Sequence, residues 1–421
     1  MHIVDGFREH RLPFRPAWVA AAAVCGLLLV VPLDAVQQNT PVPEVRALWV
    51  TRTSLTTPAS VAAMVKSAQS GRFNTLLVQV RGRGDAYFNG GFEPRAAALA
   101  SQPDSFDPLA ATLRYAHAQG IRVHAWINIA LVSSAAELPP SRAHMVYRHP
   151  EWLMVPRALA RDMVLLDARS QLYLDKLMRW TRAQSSDVEG LYASPVTEDA
   201  SDATVAVVAD LVARYPVDGV HLDYVRYPNE EFDYSRGALE AFKADTLNGL
   251  GATARRQQER ALGADLVGWA DAFPDRWREF RCQRLTSLVS RLRESVKARR
   301  PEAIFSAAVA PDAREARARR FQDWGSWLHR ELLDVVCPMA YATDSTVFSA
   351  QVADARRMAG GRPVWAGIGA YRLSSSETIE NIRIARRLGA SGIILFSYDS
   401  VISLPRGLDY LAQVGRAAFM Q

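Results

Sequence analysis

Eight short apolar runs, spaced by longer amphipathic stretches, constrain this chain more than any other feature of its sequence. They are ALWVTR (47–52), TLLVQVRG (75–82), IRVHAWINIALV (121–132), the apolar heart of PVDGVHLDYVRYP (216–228), IFSAAVA (304–310), VVCPMAYA (335–342), VWAGIGAY (364–371) and GIILFSYD (392–399). Each is short, rich in β-branched or aromatic residues, and followed by a segment with helical signals. Thr57-Pro58 opens one such segment and Gly71 closes it; Asp107-Pro108 opens the next and Gly120 closes it. Proline in the first turn and glycine past the last is the polarity of a helix. Eight strand–helix alternations are the count of a closed (β/α)8 TIM barrel. The competing fold, an open doubly wound sheet, calls for a glycine-rich phosphate loop after its first strand. None follows 47–52, and Gly82-Arg83-Gly84 is too short to serve. Two stretches break the rhythm, 133–201 after the third strand and 229–277 after the fourth. Loops of that length in a compact fold are usually functional or mobile, and 133–201 is expected to pass over the barrel mouth.

The fourth run carries the chemistry. Successive strand side chains alternate between faces, so His221 and Asp223 share one face while Val220 and Leu222 share the other. A parallel sheet is covered on both faces, and a carboxylate there needs a reason. Asp223 also sits at the carboxyl end of its strand, where barrels of this type keep their active sites. The other strand ends add Arg52, Gln79, Arg81, Asp85, His124, Asn128, Arg226, Tyr341, Asp344, Trp365, Tyr371 and Asp399. Carboxylates, aromatic faces and fixed donors together suit a sugar. One carboxyl group protonates the leaving oxygen, and a second attacks or activates water. Apolar ring faces meet aromatic side chains while amides and guanidinium groups read hydroxyls. Asp223 is the expected nucleophile or charge stabiliser, and Asp344, then Asp399, the expected proton donor. The remaining mouth residues are assigned to substrate binding. Trp49, Trp126 and Trp365 suit packing as well as stacking. No metal-binding motif is present, and neither a metal nor another cofactor is expected. A barrel that binds glycan through the same residues without cleaving it is the alternative reading.

Composition narrows the partners. The chain has 421 residues, 49% of them hydrophobic and 22% charged, which is globular composition. Its formal net charge of +6 is scattered along helical segments such as 281–300 rather than gathered with interleaved aromatics, so no nucleic acid is expected. Residues 1–40 differ from the rest: Arg8, Arg11 and Arg15 precede an apolar run, 17–31, that gives way to Gln37-Gln38-Asn39-Thr40. That is the layout of a secretory signal peptide, or of an N-terminal membrane anchor through 17–32 if it is not cleaved. Export to a periplasmic, extracellular or membrane-anchored location follows, with 41–421 as the catalytic-type domain. Beyond Cys25 only Cys282 and Cys337 remain, too few for a disulfide framework.

Several blocks taken in order carry a family likeness: RALWVTR (46–52), FNTLLVQVRGRGDAYF (73–88), GIRVHAWIN (120–128), HPEWLM (149–154), YPVDGVHLDYVRYP (215–228), LLDVVCPMAYATD (332–344) and GASGIILFSYDS (389–400). Through them the chain resembles the glycoside hydrolase-like family 10 of exported (β/α)8-barrel proteins. The resemblance implies glycan hydrolysis with Asp223 as the leading catalytic position, and a cell-wall or other polysaccharide, peptidoglycan glycan strands included, as substrate. The chain departs from the family pattern twice. Tyr224 stands where a second consecutive aspartate is common, and Tyr192-Ala193-Ser194-Pro195 stands in place of a Leu-Asp-Pro-Gly segment.

Overall fold

The computed structural model describes residues 43–405 and 407–420, so the expected N-terminal signal or anchor at 1–40 lies outside the described residues. From Glu44 onward the chain forms one compact unit. Eight parallel strands close in sequence order: β1 (Val45–Val50), β2 (Thr75–Arg81), β3 (Arg122–Asn128), β4 (Gly219–Asp223), β5 (Ile304–Val309), β6 (Val335–Ala340), β7 (Trp365–Ile368) and β8 (Gly392–Leu395), with β8 pairing back onto β1. The expected (β/α)8 barrel is the fold.

Two-residue alternation sorts each strand into a helix-facing and a lumen-facing set. Leu48, Val50, Leu76, Val78, Val123, Ile127, Val220 and Leu222 enter the large cluster packed beneath the helices. Val45, Ala47, Trp49, Leu77, Trp126, Cys337, Trp365 and Ile394 form a separate cluster inside the barrel. Large rings fill that lumen only where a neighbour yields space. A Cβ on Gly219 would lie 2.6 Å from the His124 ring, and one on Gly367 2.8 Å from that of Trp49. These glycines are required by close approach of a side chain, a packing constraint that fits the layered interior of such barrels.

The helices begin as their sequences dictate. Thr57 caps Pro58–Ser70 in a capping box with Ser60, and Asp107 caps Pro108–His117. The two long stretches, of which 133–201 is expected from sequence over the mouth, contain short helices of their own. Met145–Arg148, Ala160–Met163 and Gln171–Ala183 follow β3; Arg236–Asn248, Ala252–Leu262 and Leu266–Ala272 follow β4. Both bury private apolar clusters, one around Val146, Leu153, Tyr173 and Leu177, the other around Tyr234, Phe242, Trp277 and Phe280. Those clusters offset the ordering entropy of so long an insertion. Among the described residues no helix is long and apolar enough to cross a membrane.

Candidate active site

At the carboxyl ends of the strands a cavity of about 430 Å³ opens on the barrel axis. Its floor comes from the upper lumen layer, Trp49 of β1, Trp126 of β3 and Ala308 of β5, with Phe396 just beyond β8; Tyr341, after β6, forms part of the wall. Strand alternation points these residues inward and upward together. Trp49 is held from below: its Nε1–H donates to His221 Nε2 at 3.0 Å, and His221 Nδ1 meets Ser306 Oγ at 2.9 Å. Burial, with His124 adding to it, holds His221 well below the usual imidazole range. It is therefore neutral, with Nε2 free to accept from the indole and the proton on Nδ1, facing Ser306.

The polar wall is a connected amide and guanidinium chain. Arg52 Nη1 donates to Gln79 Oε1 at 2.9 Å, Trp126 Nε1 to Asn128 Oδ1 at 3.0 Å, and Asn128 Nδ2 to the Gly82 carbonyl at 2.8 Å. Each bond leaves the next side chain fewer orientations. A Cβ on Gly82 would lie 2.7 Å from Arg52 Cδ, so this glycine is what lets Arg52 lie across the loop after β2.

Asp223 projects into this cavity from the end of β4. It is only 8% exposed. Burial raises its pKa above the ordinary carboxylate range, while Arg226 and the Tyr224 backbone N–H, at 2.7 Å from Oδ1, pull it down. Tyr224 itself adopts φ +48°. A non-glycine residue in that region costs free energy, and such residues gather at functional sites. The backbone turn it makes aims its own N–H back at Asp223. Arg226 lies with its guanidinium 4.6 Å from the centre of the Tyr224 ring and donates from Nη2 to Glu189 Oε1 at 3.2 Å. Glu189 also accepts from the Tyr192 hydroxyl at 2.6 Å. Burial alone would raise the Glu189 pKa, yet Arg226 and Tyr192 outweigh it and hold this carboxylate below its usual range.

The cavity gathers Arg52, Gln79, Asn128, Asp223, Arg226 and Tyr341 from the residues expected at the mouth. The others stand elsewhere. Asp344, expected as a proton donor, is a solvent-exposed N-cap whose Oδ1 accepts from the Thr346 and Val347 N–H groups. The opening turn of Ser345–Met358 captures it because a cap satisfies otherwise unpaired donors. Asp399 is turned behind the wall, accepting from Thr51 N at 2.6 Å, Thr53 Oγ1 at 2.9 Å and Ser54 Oγ. It anchors the turn after β1 and is not among the residues that line the cavity. Arg81 is buried and forked onto Glu93 at 2.6 and 2.7 Å, a structural pairing in place of the expected sugar contact. Asp85 accepts from Arg83 N and lines an adjoining cavity of about 250 Å³, which shares Arg52 and Arg83 with the first. His124 and Trp365 lie in the lumen with ring centres 5.6 Å apart, His124 fully buried and pushed down to about 3 by that burial. His221 is the prop beneath Trp49 rather than a sugar contact, and Tyr371 stands on the rim, edge-on to Tyr341 and Phe396.

Sequence reasoning missed Arg83, Phe396 and Glu189. Arg83 sits between two glycines, which was a signal of close backbone approach. Glu189 had none, because its position depends on how the long stretch after β3 returns to the wall.

With this geometry in place, comparison with known proteins decides the family. A model for glycosyl hydrolase-like 10 proteins matches residues 44–368. The chain belongs to that family. Within it, the chain is similar to glycosyl hydrolase DigH of Escherichia coli (strain K12), 24% identical over 292 residues that make up 64% of this chain and 54% of that protein. It is also similar to glycosyl hydrolase YngK of Bacillus subtilis (strain 168), 21% identical over 334 residues, 71% and 54% respectively. The chain thus spans about half the length of these curated relatives. Among solved structures, the glycoside hydrolase domain of PgaB (BpsB) from Bordetella bronchiseptica superposes with a TM-score of 0.59 at 15% identity, covering 88% of this chain and 99% of that one. A β-galactosidase from Bacillus circulans gives 0.59 at 13%, covering 90% and 56%. At such identities the likeness establishes the fold. The glycosyl hydrolase-like 10 barrel places Asp223 at the strand end where barrels keep their chemistry, with an aromatic floor beneath the cavity.

Proposed function

We propose that this protein is an exported glycoside hydrolase that cleaves a polysaccharide, with Asp223 protonating the glycosidic oxygen. One observation carries the reading: a carboxyl group whose pKa is raised by burial faces a cavity floored by Trp49, Trp126 and Phe396. A carboxyl that holds its proton to higher pH than an ordinary aspartate is what a departing sugar oxygen needs. This favours a donor role for Asp223 over the attacking role expected from sequence. As the proton passes from Asp223 to the leaving oxygen, the bond to the anomeric carbon breaks and positive charge builds on the ring. The aromatic floor supplies apolar area for the sugar face, and the Gln79–Asn128 amides supply fixed partners for hydroxyls. Among the described residues no second carboxylate lines the cavity; Glu189, ionised and tied to the wall only through Arg226, is a positioning residue that holds that guanidinium.

Peptidoglycan glycan strands are the first substrate to test, since the N-terminal layout of the sequence suits export. Asp223→Asn should fold normally and lose about 10²–10⁴-fold in the release of reducing ends, the usual contribution of a positioned acid. Unchanged turnover would overturn the proposal. A second reading rests on a specific observation: Asp223 is the sole carboxylate lining the cavity among the described residues. A barrel that binds glycan without cutting it would show affinity and no reducing ends released by the unaltered protein.

A further inference from the structure

The cavity is short of negative charge. Three guanidinium groups line it, Arg52, Arg83 and Arg226, against the single carboxylate Asp223, whose buried environment favours its neutral form. Among the described residues neither Arg52 nor Arg83 has a carboxylate within ion-pair distance: Arg52 spends its Nη1 on the neutral Gln79 amide. Arg83 Nε is buried without a partner. Arg226 is the sharper case. It is 9% exposed, one nitrogen is satisfied by Glu189, and both Nε and Nη1 are buried with no hydrogen-bond partner. Buried guanidinium N–H groups are rarely left unpaired, because the desolvation they suffer is recovered only through an acceptor. Two such groups on one cavity wall are a binding site waiting for an oxyanion, and the guanidinium fork matches a planar carboxylate or a phosphoryl group.

We propose that this site takes a glycan whose sugar bears an acidic substituent, held by Arg226 and Arg83. This rests on the glycan reading above and deepens it. The oxyanion is paired by the guanidinium groups of Arg226 and Arg83, which line the cavity and carry the unpartnered N–H groups, while Glu189 holds Arg226 in place. Arg226 and Arg83 then act as specificity residues: a neutral sugar leaves their N–H groups unpaired, and the acidic sugar does not. A polar site rejects a ligand that lacks its partner because the site's own buried groups are then left unpaired.

The test measures binding, so it stands apart from turnover. Full-length protein carrying Asp223→Asn is titrated by calorimetry with matched pairs of oligosaccharides that differ only in one substituent: hexose against hexuronic acid, hexosamine against its carboxyethyl ether, and hexose against its phosphate and sulfate esters. In at least one pair the acidic member should bind about tenfold or more tightly than its neutral counterpart, which is ~1.4 kcal/mol. The difference should shrink as ionic strength rises, and it should vanish in Arg226→Met. Arg83→Met, at a half-buried position without an ion-pair partner, should reduce it independently and guards against misfolding of the first variant. Which pair shows the preference identifies the anion as carboxylate, phosphate or sulfate. Equal or absent binding in every pair, or a preference that survives both substitutions in melting-competent protein, overturns the inference. If neutral glycan is cleaved by the unaltered enzyme while no acidic preference exists, this inference alone fails and the hydrolase reading stands.

Discussion

Replacing Arg81 with methionine separates a side chain that holds the loops from one that touches sugar. Arg81 is 1% exposed, and its fork on Glu93 has both bonds within 2.7 Å. Its Nη1 also caps the carbonyls of Asn128 and, at 3.2 Å, Ile129, so one residue ties the loop after β2 to the end of β3. Removing it strands Glu93, whose side chain is 11% exposed, together with those carbonyls. Breaking a buried pair from one side costs about 3–5 kcal/mol. At about 2 °C per kcal/mol for a large unit, the midpoint should fall by roughly 6–10 °C. Glu93→Gln, which keeps the carbonyl bonds and one acceptor, should lose only about 1–3 kcal/mol. Urea titration followed by circular dichroism gives both values. The double variant Arg81→Met with Glu93→Leu should lose less than the two single losses combined, by ~0.5–3 kcal/mol of coupling. A methionine variant within about 1 kcal/mol of the parent that no longer binds glycan would refute this reasoning and return Arg81 to the substrate.

Three further outcomes follow from the site. Because burial raises the folded-state pKa of Asp223, its carboxyl contributes stability below the ordinary aspartate range and loses it as pH rises toward the folded value. Asp223→Asn should therefore match the parent in thermal melts at acid pH and exceed it at neutral pH; a variant less stable at neutral pH would contradict the assignment. In Glu189→Gln the Arg226 charge is no longer countered, so the Asp223 pKa should fall and the alkaline limb of the pH–rate profile should move to lower pH; a limb that stays or rises would exclude electrostatic coupling through Arg226. His221→Phe leaves the Trp49 indole N–H and the Ser306 hydroxyl without their partner, at roughly 1–3 kcal/mol for each group; tryptophan fluorescence should report a displaced Trp49, and an unaltered spectrum and melt would show that His221 is not its prop.

The barrel was legible in the sequence because its causes are local. Two-residue alternation in strands such as 219–223, threonine, aspartate and proline at helix starts, and glycine at helix ends all act within a few neighbours, so reading them in order yields the repeating unit. The position of Asp223 at its strand end, on the same face as His221, followed from that periodicity alone. What one carboxylate does among several did not follow. Asp344, Asp399 and Asp223 look alike in one dimension, and only the fold shows that the first caps a helix, the second braces a turn and the third meets a cavity. The same holds for Arg81 and Arg83, two residues apart, one locked to Glu93 and the other left open on the wall. Glu189 reaches Arg226 only because the stretch after β3 builds a small apolar cluster of its own and returns. Strand phase is set by near neighbours along the chain, whereas the charge state and partner of an ionisable group are set by burial and by residues far away in sequence, which only tertiary packing brings together.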